Sequence, residues 1–170
     1  MRAFPISEST IFSIHLAPSR AEITDRYRRI LLFGTAVLLT YLALYVYPRL
    51  VIISGSMTPT IPVGKVIVAD RMSYLHTSPK RGDIVVFRPV AEFSETQWSH
   101  RIIGIPGDTV RIWGGRVSVN GGAIQHDVTS DPDFGDIVVP AGYYYEKGDD
   151  VDAINGLVPA SAVMGKIISY

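Results

Sequence analysis

Eighteen consecutive uncharged residues at 30–47, ILLFGTAVLLTYLALYVY, constrain this 170-residue chain more than any other feature. A run of that length sits at the lower end of what crosses a bilayer as a helix. A helix that is apolar all round needs lipid or a surrounding protein core. No second amphipathic helix is legible in the sequence to bury it. Tyr45 and Tyr47 close the run, as residues of an interfacial aromatic belt do. Arg26, Arg28 and Arg29 precede it, and only Arg49 follows closely. The positive-inside rule then places the N-terminus in the cytoplasm and everything after Arg49 outside the cell membrane. The run is long for the apolar region of a cleaved leader, and no A-x-A site directly follows it. The expected organisation is a cytoplasmic tail at 1–29, a single transmembrane helix at 30–47 and an extracytoplasmic domain at 48–170. The tail has scattered apolar residues, no clear caps and no assignable role.

After Pro48 the pattern turns to β. Short runs rich in Val and Ile, punctuated by Gly and Pro, predict strands at 50–53, 65–69, 83–87, 101–105, 109–113, 116–120, 137–139, 143–145 and 163–169. Gly114-Gly115 between two of these runs is a hairpin signal, because the tight turn needs positive φ. Period-two alternation sets Val110 and Ile112 on one face with Val117 and Val119 across from them, and turns Thr109, Arg111 and Ser118 outward. Asn120-Gly121-Gly122 marks another turn. No helical period is convincing after residue 50, apart from a turn near Ser161. The fold class is mainly β, one transmembrane helix followed by a domain of coiled or closed antiparallel sheets.

The 16 Lys and Arg balance the 16 Asp and Glu, so a general nucleic-acid footprint is absent. The absence of cysteine excludes disulfides, thiolate catalysis and Cys-based zinc sites within these residues.

Ser54-Gly55-Ser56-Met57-Thr58-Pro59-Thr60 follows the apolar run closely. Small residues flank Ser56, so a substrate backbone can approach it. The Ser56 N–H and the Ser54 hydroxyl are candidate donors to a developing oxyanion. Serine is a poor nucleophile until a base takes its proton. Of the four histidines, His15 falls on the cytoplasmic side in this topology, while His76 and His126 read as surface. His100 opens a predicted strand, which would hold it rigidly. An acid that orients the base is sought in Gly148-Asp149-Asp150-Val151-Asp152. That loop has too few ligands at metal spacing, so neither metal nor cofactor is expected.

Taken together, these segments resemble the type I signal peptidase family of membrane-bound serine peptidases. Ser54–Thr60 is similar to its nucleophile box, and Arg81-Gly82-Asp83-Ile84-Val85-Val86-Phe87 to the next box. His100-Arg101-Ile102-Ile103-Gly104-Ile105-Pro106-Gly107-Asp108 is similar to the box that bears the base. Val119-Asn120-Gly121 and the stretch from Val139-Pro140 to Gly148-Asp149 follow in the family's order, and several boxes in order weigh more than any one. The resemblance implies a coiled β-sheet catalytic domain at the outer membrane face, which cuts signal peptides from exported precursors after small residues. It implies Ser56 as nucleophile and Ser54 as part of the oxyanion hole.

Two departures stand out. The common bacterial form has a lysine base where this chain has His100, as in the endoplasmic-reticulum and archaeal branch. Yet the Gly104–Asp108 stretch is bacterial in style. The closing box also differs, and the reticulum-like form has acidic residues a few positions after its Gly-Asp. Asp152 is therefore the first candidate to orient His100, Asp149 the second and Asp150 the third. Imidazole titrates near 6.5, so a histidine base needs no burial to be neutral near pH 7. The expected partners are precursor proteins and membrane lipid. Substrate is expected to lie extended along a strand, with Val51, Ile53 and residues 84–86 as pocket walls. Two other readings remain open: a peptidase dedicated to a pilin or conjugation precursor, and a catalytically silent membrane-anchored peptide-binding module.

Overall fold

The computed structural model describes residues 19–89 and 96–170; His15 lies outside them. The first element is α1 (Arg20–Val46), 27 residues long. It starts before the uncharged run because Ser19 and Glu22 form a capping box. The Ser19 N–H donates to Glu22 Oε2 at 2.8 Å and the Glu22 N–H donates to Ser19 Oγ at 3.2 Å, which satisfies two orphan donors of the first turn. Residues 20–29, read from the sequence as tail, are therefore helical. At 1.5 Å per residue α1 is about 40 Å long, beyond the roughly 30 Å of a hydrocarbon core. Among the described residues it is the one helix long and apolar enough to cross a membrane, and none of its side chains is buried. Thr35 and Thr40 donate their hydroxyls to the carbonyls of Leu31 and Ala36, so neither leaves an unpaired donor in an apolar setting.

The chain divides into two units after Tyr41. The second holds every described strand: β1 (Arg49–Val51), β2 (Val66–Asp70), β3 (Ile84–Phe87), β4 (Trp98–Gly104), β5 (Thr109–Trp113), β6 (Arg116–Val119), β7 (Gly122–Val128), β8 (Phe134–Val138), β9 (Tyr143–Lys147), β10 (Asn155–Pro159) and β11 (Val163–Ser169). A seven-stranded sheet runs β1-β2-β11-β3-β4-β9-β10 and a four-stranded sheet runs β7-β6-β5-β8. All pairings are antiparallel. Breaks of register along β11 are bulge-like irregularities of the kind that increase local twist, which suits a coiled sheet.

The β5–β6 hairpin follows its sequence pattern. Val110 pairs with Val119 and Ile112 with Val117; all four are buried. Gly114 and Gly115 take φ of 60° and 70°, as a two-residue turn of this hand demands. The strands at 122–128 and 155–159 were not legible in sequence. β7 carries Gly, Gln, His and Asp with weak alternation, and β10 contains Gly and Pro; pairing with β6 and β9 makes them strands. The short 3-10 turn at Ala160–Ala162 matches the turn expected near Ser161.

Each face of the large sheet has its own core. Ile52, Met57, Ile61, Ile67, Ile84 and Val86 pack on one side, and Val85, Phe87, Ile102, Tyr144 and Val158 on the other. A third cluster joins Ile103 and Tyr145 of the large sheet to Val110, Ile112 and Val117 of the small one.

Asp108 pins the junction between the sheets. It accepts from the Arg81 guanidinium through both oxygens, from the Ile105 N–H at 2.8 Å and from Asn120 Nδ2 at 3.0 Å. The Arg81 hydrogen bond is the main reason its carboxyl is lowered from 3.8 to about 2. A carboxyl depressed on folding stabilises fully above its unfolded value, and that contribution is lost as pH falls through the folded value. Asp108→Asn should therefore lower unfolding stability by about 2 kcal/mol at pH 7. Near pH 2 the variant and wild type should converge. Denaturant titration of both proteins at the two pH values checks this, and an undiminished gap at acid pH contradicts it.

Candidate active site

The serine loop is built from its buried neighbours outward. The Ile52 N–H donates to Lys65 O at 3.0 Å and the Gly64 N–H to Ile52 O at 2.8 Å, closing the loop at its base. Inside it, the Ile61 N–H donates to Met57 O at 2.8 Å, a single helical turn. Met57 and Ile61 lie one above the other on that turn and are fully buried. With Met57 anchored in the core, its neighbour Ser56 is left half-buried at the lining of a groove. Ser54 Oγ lies 3.2 Å from Ser56 Oγ.

That groove is about 950 Å³ in volume, within the range of ligand clefts. Its walls include Val51, Ile53 and Val86, three of the expected positions, together with Trp98, His100 and Ile154. Ile84 and Val85 are buried but do not line it. Ser56 and His100 thus share one groove; among the described residues no hydrogen bond joins them.

His100 is 2% exposed. Alternation along β4 puts it on the same face as Trp98 and Ile102, and Val85 is its partner across from β3. The ring stands edge-on to Phe87 and Trp98, with both centroids 5.7 Å away. Its Nδ1 is hydrogen-bonded to Oε2 of Glu146, itself 5% exposed. Glu146 pairs across the sheet with Ile102, two positions along from His100, so it shares the face of His100. Burial pushes the Glu146 carboxyl up, and the His100 hydrogen bond only partly offsets this.

The carboxylate bonded to His100 is therefore not Asp152, the first candidate from sequence, nor Asp149 or Asp150. Asp152 is exposed at the groove lining, and its N–H donates to Asp150 Oδ1 at 3.0 Å. Asp150 also lines the groove, and its N–H donates to the Ser56 carbonyl at 3.0 Å. Asp149 is buried and faces Arg101, accepting from Nε at 2.9 Å and from Nη2 at 2.7 Å. It also accepts from the Thr60 hydroxyl in the serine loop. Burial pushes its carboxyl up, but Arg101 and Thr60 outweigh that and hold it below the usual range. His126, expected at the surface, is partly buried against this cluster, with Nε2 3.4 Å from Thr60 Oγ1 and 3.7 Å from Asp149 Oδ2. His76 is exposed, as expected.

Gly148 lets these pieces meet. It lies one residue beyond the Arg101↔Lys147 pair, opposite His100. A Cβ there would fall under 3.0 Å from both the Ser56 carbonyl oxygen and the Ala153 Cβ. Only a residue without a side chain allows the serine loop to dock beside the strand that carries His100. Lys147 reinforces the loop from beneath: its buried ammonium donates to Gly148 O at 2.7 Å, and burial lowers its pKa.

A loop serine and a strand histidine sharing a groove, with a second serine beside the first, form a constellation suited to acyl transfer. The family model described as signal peptidase, peptidase S26, matches residues 26–170. The chain belongs to the signal peptidase family. Signal peptidase I of Leptolyngbya laminosa is 33% identical over 129 residues, covering 68% of this chain and 64% of that protein. Probable signal peptidase I-2 of a Synechocystis species is 33% identical over 125 residues, covering 66% of this chain and 57% of that one. Probable signal peptidase I-1 of the same organism is 30% identical and covers 79% and 76%. The chain thus spans somewhat under two thirds of the length of the first two relatives. Within this signal peptidase fold, Glu146 and Gly148 are the site residues that sequence reasoning missed. A lone acid in the aromatic run Tyr143-Tyr144-Tyr145-Glu146 is a signal for the first. The register that points it at His100 is not visible in one dimension.

Proposed function

We propose that this protein is a membrane-anchored serine endopeptidase that removes signal peptides from exported precursors. The observation that carries the reading is the placement of Ser56 and His100 in one groove within a chain that matches the signal peptidase family over residues 26–170. Ser56 Oγ attacks the scissile carbonyl while His100 takes its proton. The Ser56 N–H and the Ser54 hydroxyl stabilise the oxyanion. His100 then protonates the leaving amine, and water releases the acyl group by the reverse sequence. Groove walls of Val51, Ile53, Val86 and Ile154 suit small apolar side chains on the acyl side of the cut.

α1 anchors the enzyme in the cell membrane with its Arg-rich end in the cytoplasm and the β domain outside. An anchored enzyme meets a signal peptide in the same bilayer at raised effective concentration. No metal or cofactor is required for these steps. The rival reading, a silent peptide-binding module, has no need of a strand-held histidine that shares a groove with a loop serine.

The test is full-length protein in detergent micelles, mixed with a signal-bearing precursor, with Ser56→Ala as the blank. A mature product whose new N-terminus follows a small residue is expected from wild type alone. Binding of the precursor without any cut would transfer support to the silent module. Cleavage of one pilin or conjugation precursor, with other exported precursors untouched, would narrow the activity to a dedicated peptidase.

A further inference from the structure

We propose that Glu146 is the positioning residue for His100, holding the imidazole with its proton on Nδ1 so that Nε2 is left bare to accept the serine proton. This rests on the reading of His100 as the base.

The geometry leaves the ring few alternatives. His100 is confined edge-on by Phe87 and Trp98, and Nδ1 meets the Glu146 carboxylate. Both side chains are buried, and their sheet face carries the apolar cluster of Val85, Phe87, Ile102, Tyr144 and Val158. An acid–base pair in such a place is poor value as a stabilising device, because desolvation of both groups offsets most of their attraction. A base whose tautomer matters gains from it directly. Asp149 cannot serve, since Arg101 and Thr60 already engage it.

In the proposed resting state Nδ1–H donates to a carboxylate whose ionisation burial opposes and His100 and Lys147 favour, and Nε2 holds a lone pair. As Ser56 Oγ bonds to the scissile carbon and the carbonyl electron pair moves to oxygen, the hydroxyl proton passes to Nε2. The imidazolium is then stabilised by Glu146, which takes no proton itself. Nε2–H next passes to the amine nitrogen as the C–N bond breaks. Besides His100, the charged groups acting on Glu146 are Asp131, which opposes its ionisation, and Lys147, which favours it; the Glu146 charge in turn acts on the Tyr145 phenol.

The experiment compares full-length wild type, Glu146→Gln, Glu146→Asp and His100→Ala on a fluorogenic signal-peptide substrate across pH. Glu146→Gln should lower kcat by about 10²–10⁴-fold with KM little changed. Its acid limb should move to lower pH, because a neutral amide stabilises the imidazolium less than a carboxylate does. Glu146→Asp should recover part of the loss. Wild-type kcat and pH profile in Glu146→Gln, with His100→Ala inactive, would overturn the inference and leave the Ser/His reading standing. An active His100→Ala would remove the reading beneath it. A variant that fails to fold is bypassed by nitrogen NMR of ¹⁵N-histidine-labelled wild type. A neutral His100 protonated at Nδ1 supports the proposal, and one protonated at Nε2 overturns it.

Discussion

Ser56→Ala is expected to reduce peptide cleavage by about 10⁵–10⁶-fold, and His100→Ala by nearly as much. In the proposed mechanism the two residues act on one proton. Without the hydroxyl there is no nucleophile to activate, and without the imidazole the hydroxyl keeps its proton near neutral pH. The double variant Ser56→Ala/His100→Ala should therefore be no worse than either single one, because a broken unit has nothing further to lose. Single-turnover rates on a fluorogenic peptide measure all three. Losses that multiply in the double variant would mean that Ser56 and His100 do not act as a unit. Ser54→Ala should fall well short of these losses, since one oxyanion donor contributes about 10²–10³-fold and the Ser56 N–H remains.

Asp149→Ala should destabilise the β domain by about 3–5 kcal/mol, because it strands the Arg101 guanidinium in a largely buried position. Arg101 and Asp149 form a fork with two hydrogen bonds, and their side chains are 12% and 1% exposed. Arg101 also donates to the Gly82 carbonyl at 3.0 Å, and Asp149 accepts from Thr60. One carboxylate thus ties β4, the closing loop and the serine loop together. Its removal should slow catalysis as well, since the serine loop loses its hold on the strand that carries His100. Chemical denaturation with a β-domain fluorescence probe such as Trp98 measures the first effect. A loss under about 1 kcal/mol, the range of exposed pairs, would show that the ion pair does not hold the loops. Because the Asp149 carboxyl is held below its ordinary range, its contribution is present above the unfolded carboxylate value and is lost as pH falls toward the folded one.

Much of the scaffold around the candidate site was legible because its signals are local. The hairpin at 109–120 needs two glycines at positive φ and period-two apolar residues, and both are written in adjacent positions. The turn at 54–60 was legible for a similar reason: a small-residue turn must supply its own glycine and proline. The start of α1 at Ser19 was equally local, since Ser and Glu three residues apart make a capping box. It was missed because the uncharged run drew the boundary.

The carboxylate that meets His100 was a different kind of problem. Asp152 follows the Gly-Asp pair in sequence, but proximity along the chain does not set a side chain's direction in a folded loop. Glu146 meets His100 because β9 lies beside β4 in a register that pairs Ile102 with Glu146. A shift by one residue would turn Glu146 to the opposite face. β7 and β10, weak strands by composition, likewise exist because neighbours supply their hydrogen bonds. By itself the sequence determined a membrane-length helix, a β domain, the serine turn and the histidine strand, all encoded in short-range pattern. Only the tertiary structure decided which carboxylate faces the histidine and why residue 148 carries no side chain, because both depend on the register and close approach of segments distant in the chain.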